Sequence, residues 1–161
     1  MRGLPAVMRA APVVVGRWLT TRLGGGQGQK MKDHQPPERS LMQLIQDLPP
    51  ALLTQALTHS SWVDERTGSY ERLEFLGDSV LGLVIAYTLF EQYPESNEGE
   101  MARAKAYVVS RASCQEVAEN IGLRDFFLER APAGAEKGAE VLASGTTLGN
   151  VLEALIGACF L

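Results

Sequence analysis

The chain has 161 residues, 45% of them hydrophobic and 21% charged, with 15 Lys and Arg against 19 Asp and Glu for a formal charge of −4. That hydrophobic share excludes a wholly disordered chain, and two cysteines and two histidines are too few for a disulfide framework or a zinc site. The charge is unevenly placed: Arg2, Arg9, Arg17, Arg22, Lys30 and Lys32 all precede the first acid, Asp33, so the rest carries 9 bases and 19 acids, a charge of −10. Such an acidic body argues against a module that grips nucleic acid by charge alone.

Residues 1–38 read as a basic, unstructured extension ending in the flexible GGGQGQ stretch. An Arg-rich, acid-free head has the character of an organelle transit sequence, yet this one holds no Ser and is broken by Pro12 and Gly16. A cytoplasmic location with Cys114 and Cys159 reduced is therefore expected, and a mitochondrial one is the alternative. Residues 39–161 are enough for one domain with a core. The apolar stretches around 80–90 and 151–161 are shorter than the ~20 residues that cross a bilayer, so no membrane is expected.

Within that domain Ser40 and Gln43 make a capping box ahead of Leu41, Leu44 and Ile45, and Leu48-Pro49-Pro50 ends the first helix and opens a second over 51–58. The segment 69–93 has apolar residues on nearly every face and is expected to be a buried central helix, stopped by Pro94. Further helices are expected over 98–111, 113–121 with Gly122 as its cap, and 147–161, with 131–145 as a loop because of its Pro, Gly and Ser residues. No run alternates with period 2, so the fold class is all-α.

The central helix starts with an anomaly. Glu71, Glu74 and Asp78 fall at i, i+3 and i+7, on one stripe that continues through Gly82, Ile85 and Leu89. Carboxylates at the rim of an apolar helix need a counter-charge, from Arg72 or Arg103 or from a divalent cation. A second polar pair, Asn150 and Glu153, interrupts the apolar run of the last helix. Glu153 has almost no polar face to join, which favours a buried role, salt-bridged or metal-binding. Two helices with inward oxygens suit a hard cation such as Mg²⁺, although Asn150 serves equally as an early-turn residue.

The string Glu71-Arg72-Leu73-Glu74-Phe75-Leu76-Gly77-Asp78, followed by Ser79-Val80-Leu81, resembles the ribonuclease III signature. Thr58-His59-Ser60-Ser61, Glu98-Gly99-Glu100-Met101 and Glu153-Ala154-Leu155-Ile156-Gly157-Ala158 resemble its flanking motifs, in register from about Leu41 to Leu161. The resemblance implies a helical endonuclease domain that dimerises and hydrolyses double-stranded RNA in rRNA and mRNA precursor processing, leaving 5′ phosphates. It implies Mg²⁺, with Mn²⁺ able to substitute, held by Glu74, Asp78, Asn150 and Glu153. Asp78 and Glu153 would be catalytic, Glu71 and Glu98 supporting acids. Phe75 matches a position that packs across the dimer interface, against the alternative of an ordinary core Phe. His59 is expected to be a hydrogen-bonded helix-end residue without a catalytic role.

Two departures stand out. Asn150 replaces an acid of the family pattern, which removes a negative charge from the cation site and is expected to weaken the enzyme. The double-stranded RNA-binding domain that usually follows is not in this chain, so a fragment is expected, or a chain that relies on other contacts for RNA. A catalytically impaired dimerisation or RNA-associated module is the alternative reading.

Overall fold

The computed structural model describes residues 41–161. The basic extension, the linker and the Ser40 capping box lie outside the described residues. Those described are helical, with no strand among them. Helices α1 (Leu41–Gln46) and α2 (Pro50–Ala56) are divided at Leu48-Pro49, and Pro50 occupies a first-turn position where a missing N–H is not missed. Helix α2 ends before residue 58 because the Thr58 carbonyl accepts the Tyr70 N–H at 2.9 Å. Two short 3₁₀ turns, Ser60–Trp62 and Arg66–Gly68, fill the loop between. His59 caps the first of them, its Nδ1 accepting the Ser61 N–H at 3.1 Å.

Helix α3 (Glu71–Gln92) is the expected central helix. By length and composition it is sufficient to cross a bilayer, which corrects the reading of its apolar stretch as too short. Here it is the middle of a bundle, with Leu73, Val80, Val84, Ile85 and Leu89 buried. Helix α4 (Glu98–Val108) opens on a complete capping box: the Glu100 N–H donates to Asn97 Oδ1 at 3.1 Å, and the Asn97 N–H to Glu100 Oε2 at 2.9 Å. Helix α5 (Arg111–Asn120) begins two residues earlier than expected because Ser110 is its N-cap. It ends at Gly122, whose φ of 76° is the left-handed conformation that glycine adopts without strain.

Two helices depart from the sequence reading. Leu123–Arg130 forms α6, and the expected loop over 131–145 contains α7 (Ala135–Leu142). Between the breakers Gly134 and Gly145 lie strong helix formers, Ala135, Glu136, Lys137, Ala139, Glu140 and Leu142. Gly138 sits inside α7 because it rests on α6: a Cβ there would be 3.3 Å from both the Ala131 and Leu128 side chains.

Helix α8 (Thr147–Phe160) completes the bundle, with ten of its residues buried. It packs chiefly on α3, and next on α5. Val84, Ile85, Val151, Leu155, Leu123 and Phe127 are wholly enclosed, each worth about 1.5–3 kcal/mol on transfer from water. The Trp62 ring stacks on Phe127 at 6.1 Å and carries the 3₁₀ loop onto the core.

Helices α3 and α8 meet backbone to backbone. A Cβ at Gly77 would lie 1.7 Å from the Glu153 carbonyl oxygen, and one at Gly157 would lie 2.3 Å from that of Leu73. Gly77→Ala is expected to cost about 3 kcal/mol or more in chemical denaturation, because a rigid helix backbone has to move. Gly82→Ala, whose Cβ would meet only the flexible Lys105 side chain at 3.5 Å, is expected to be neutral or stabilising by up to about 1 kcal/mol. Equal losses for the two would contradict the assigned contact.

Candidate active site

The glycine crossing determines which polar groups meet. Glu74 and Asp78 flank Gly77 on α3, and Glu153 supplies the carbonyl that presses on it. Glu74 is partly buried and its carboxyl is pushed up by that burial first, then by Glu71, with Asp78 adding and Arg111 opposing. Glu153 is pushed up to about 7, again by burial first and also by Asp78 and Glu74, while the Cys114 thiol and Arg111 pull the other way. These like-signed influences show that Glu74, Asp78 and Glu153 feel one another across the crossing.

Asp78 is exposed at the mouth of this cluster. The Cys114 thiol donates to Glu153 Oε1 at 3.5 Å. Cys114 itself is held as a thiol, pushed up to about 12 by burial and by the Glu153 charge. Asn150, one turn before Glu153, makes a polar contact with the hydroxyl of buried Tyr70. Its carboxamide is therefore anchored on the α2–α3 loop side of the crossing.

Two supporting acids are placed differently. Glu71 is ion-paired with Arg66 of the second 3₁₀ turn, which holds its carboxyl below the usual range. Glu98 stands exposed in the first turn of α4, and its side chain has no hydrogen bond or ion pair with a described residue. The counter-charges also differ from expectation. Neither Arg72 nor Arg103 pairs with the cluster; Arg111, the first residue of α5, supplies the positive charge felt by Glu74 and Glu153. Residue spacing within α3 could not reveal it, because Arg111 reaches the site only through the packing of α5 on α8.

Phe75 is 79% exposed, so the alternative of an ordinary core Phe is excluded. Leu83 and Phe90 follow it at helical spacing and are also exposed, at 58% and 68%, giving α3 an apolar outer stripe opposite the α8 contact.

As they stand, no three His, Cys, Asp or Glu side chains among the described residues are gathered closely enough to hold a metal. The donor chemistry nevertheless suits a hard cation: Glu74 and Glu153 are carboxylates raised above their ordinary range by burial and by neighbouring acids, both of which a divalent ion would relieve.

The Ribonuclease-III-like family profile matches residues 49–161. The chain belongs to this family. It is 41% identical over 114 residues to Ribonuclease 3 of Rhodopseudomonas palustris, covering 70% of this chain and 41% of that protein. To Ribonuclease 3 of Zymomonas mobilis it is 45% identical over 112 residues, covering 70% and 43%. The chain thus spans less than half the length of these relatives. A solved nuclease domain of ribonuclease III from Campylobacter jejuni, described for flexibility in a region involved in dimer formation, superposes with a TM-score of 0.58 at 35% identity, covering 73% of this chain and 80% of that one.

The raised Glu153 carboxyl has a consequence for stability. A group whose folded pKa lies above its unfolded value favours folding at low pH, so this contribution is full below about 4.5 and is lost as pH rises through about 7. Without divalent ions, the wild type is expected to be less stable at pH 8 than at pH 5 by on the order of 2 kcal/mol from this group, after allowing for partial solvent screening. Glu153→Gln should flatten that part of the profile in urea titrations at both pH values. An identical pH slope in the variant would show that Glu153 is not the group responsible.

Proposed function

We propose that the chain is the nuclease region of a homodimeric, double-strand-specific endoribonuclease, acting in the cytoplasm on rRNA and mRNA precursors. The observation that carries this reading is the junction of Glu74 and Asp78 with Glu153 across the Gly77–Gly157 crossing, in a chain of the ribonuclease III-like family. The bacterial origin of the relatives favours this cytoplasmic reading over a mitochondrial one.

Glu74, Asp78 and Glu153 would hold Mg²⁺, or Mn²⁺ in its place, with Asn150 offering a neutral oxygen. Such an ion supplies charge neutralisation at the phosphate and acidifies water for attack on phosphorus. Cleavage breaks the P–O3′ bond, so the phosphate stays on the 5′ end of the downstream product and the upstream strand leaves with a 3′ hydroxyl. Glu74 and Glu153, partly withdrawn from solvent, keep water from screening the charges at the reacting phosphate. Asp78 is the solvent-facing acid, placed to pass a proton to bulk water. Arg111 provides a positive group on the α5 side for a backbone phosphate. Asn150 in place of an acid lowers the negative charge of the site, and so its hold on the cation.

The exposed stripe Phe75, Leu83 and Phe90 would be covered by the same stripe of a second copy, an isologous contact as two-fold dimers require. Glu71, paired with Arg66, and Glu98, exposed in the first turn of α4, would act as supporting acids.

Purified protein with Mg²⁺ should cut a labelled RNA duplex, leaving 5′-phosphate ends. Glu153→Gln is expected to reduce the rate by at least about 100-fold, and Asn150→Asp to lower the Mg²⁺ concentration needed for half-maximal cutting. Failure of both wild type and Asn150→Asp to cut with Mg²⁺ or Mn²⁺ would overturn the enzyme reading in favour of a dimerisation module. Independently, Phe75→Ala combined with Leu83→Ala should weaken self-association by about tenfold or more in sedimentation equilibrium. An unchanged dimer would remove the stripe from the interface.

A further inference from the structure

Just before helix α8, Ser144 Oγ accepts the Thr146 N–H at 3.5 Å and bonds the Thr147 hydroxyl at 2.8 Å. The N–H groups of Thr147, Leu148 and Gly149 lie in the first turn, where no intrahelical acceptor exists, and the N-cap Thr146 offers no side-chain bond. The Gly149 N–H finds its acceptor on another helix: Gln115 Oε1 of α5, at 3.1 Å. This contact depends on close approach, since a Cβ at Gly149 would lie 3.3 Å from the Gln115 backbone nitrogen and 3.5 Å from Cys114 Cβ. The direction of the Gln115 amide is fixed at its other end, where Nε2 donates to Glu119 Oε1 at 3.2 Å. Glu119 is held in turn by Arg124, whose Nε donates to Oε2 at 2.9 Å.

We propose that Gln115 is a positioning residue for the acid cluster: by capping α8 from α5 it fixes the height and rotation of that helix, and so the place of Asn150 and Glu153 opposite Glu74 and Asp78. Gln115 touches neither substrate nor cation. Glu153 lies one turn beyond Gly149, with its carboxylate against Cys114, the residue preceding Gln115 on α5. One helix therefore holds α8 at its backbone and at its acid. This inference rests on the proposed function for its consequence, though not for its geometry.

The test uses the whole chain and Mn²⁺ as the probe, with binding followed by electron paramagnetic resonance and the backbone amides by NMR. Gln115→Met keeps the side chain's bulk and removes the acceptor. It is expected to weaken Mn²⁺ binding by about 10-fold, the effect usual for an outer residue that orients a ligand, and to shift the Gly149, Asn150 and Glu153 amides. Gln115→Glu retains an acceptor and should restore both, measured at roughly 1 M KCl, where a Debye length of about 3 Å screens its extra charge. A merely structural role would lower the melting temperature and leave Mn²⁺ affinity unchanged, and that result overturns the proposal. Should Gln115→Met prove too unstable, Glu119→Leu, at an exposed site, loosens the same amide and is expected to weaken Mn²⁺ binding in the same direction. If wild type binds no Mn²⁺, the cation reading itself fails. The amides then decide alone: displaced Asn150 and Glu153 signals in Gln115→Met support the positioning role, and unmoved ones sink it.

Discussion

Everything at the site depends on two helix backbones touching. At Gly77 the α3 chain meets the Glu153 carbonyl of α8, and at Gly157 the α8 chain meets the Leu73 carbonyl of α3. Ordinary helices stay 8–10 Å apart because side chains separate them. Here the absence of two Cβ atoms allows closer approach, and the residues beside the contact are drawn in with it. Glu74 and Asp78 bracket one glycine, and Glu153 lies four residues before the other. The same crossing thus packs the core and gathers the acids.

That economy has an electrostatic cost. Both carboxyls are pushed up, Glu74 by burial, Glu71 and Asp78, and Glu153 by burial, Asp78 and Glu74. The surroundings answer at several points: Arg111 from α5, the Cys114 thiol on Glu153, and Arg66 drawing the Glu71 charge away toward the 3₁₀ loop. Each is modest, and none forms a close ion pair with Glu74 or Glu153. Unmatched negative charge on a rigid scaffold is what a divalent cation requires of its site. A full acid at position 150 would have added to the repulsion; Asn150 instead makes a neutral contact with Tyr70 and adds no charge.

Legibility in the sequence followed the range of the interaction. Local signals were readable: the central helix from its apolar content, Gly122 from its place after an apolar run, the acid stripe from its spacing. Glu71, Glu74 and Asp78 announce themselves because helical periodicity places them on one side. Helix α7 carries no such local signal, because Gly138 looks like a breaker until α6 is beneath it. Arg111 and Gln115 carry no signal along the chain, since each acts on a helix more than 30 residues away. Phe75 was undecidable between core and interface until its exposure was known. The capping box at Asn97 and Glu100 is a pattern that sequence could have revealed, and the acidic character of that turn obscured it.

The acidic body, at first an argument against nucleic acid, takes a different meaning from this arrangement. The charge of −10 is a sum, and phosphate responds to the field at the place it approaches. Some of those acids are already matched locally, Glu71 by Arg66 and Glu119 by Arg124. Those that form no ion pair among the described residues include Glu74, Asp78 and Glu153, at one crossing where Glu74 and Glu153 feel the charge of Arg111. A cation there would replace the repulsive field with an attractive one over a few ångströms while leaving the rest of the surface acidic. Such a surface would hold RNA weakly overall and strongly at one phosphate. On the proposed nuclease reading, affinity for the duplex as a whole would come from surfaces other than this helical body, while the acid crossing would govern where the strand is cut.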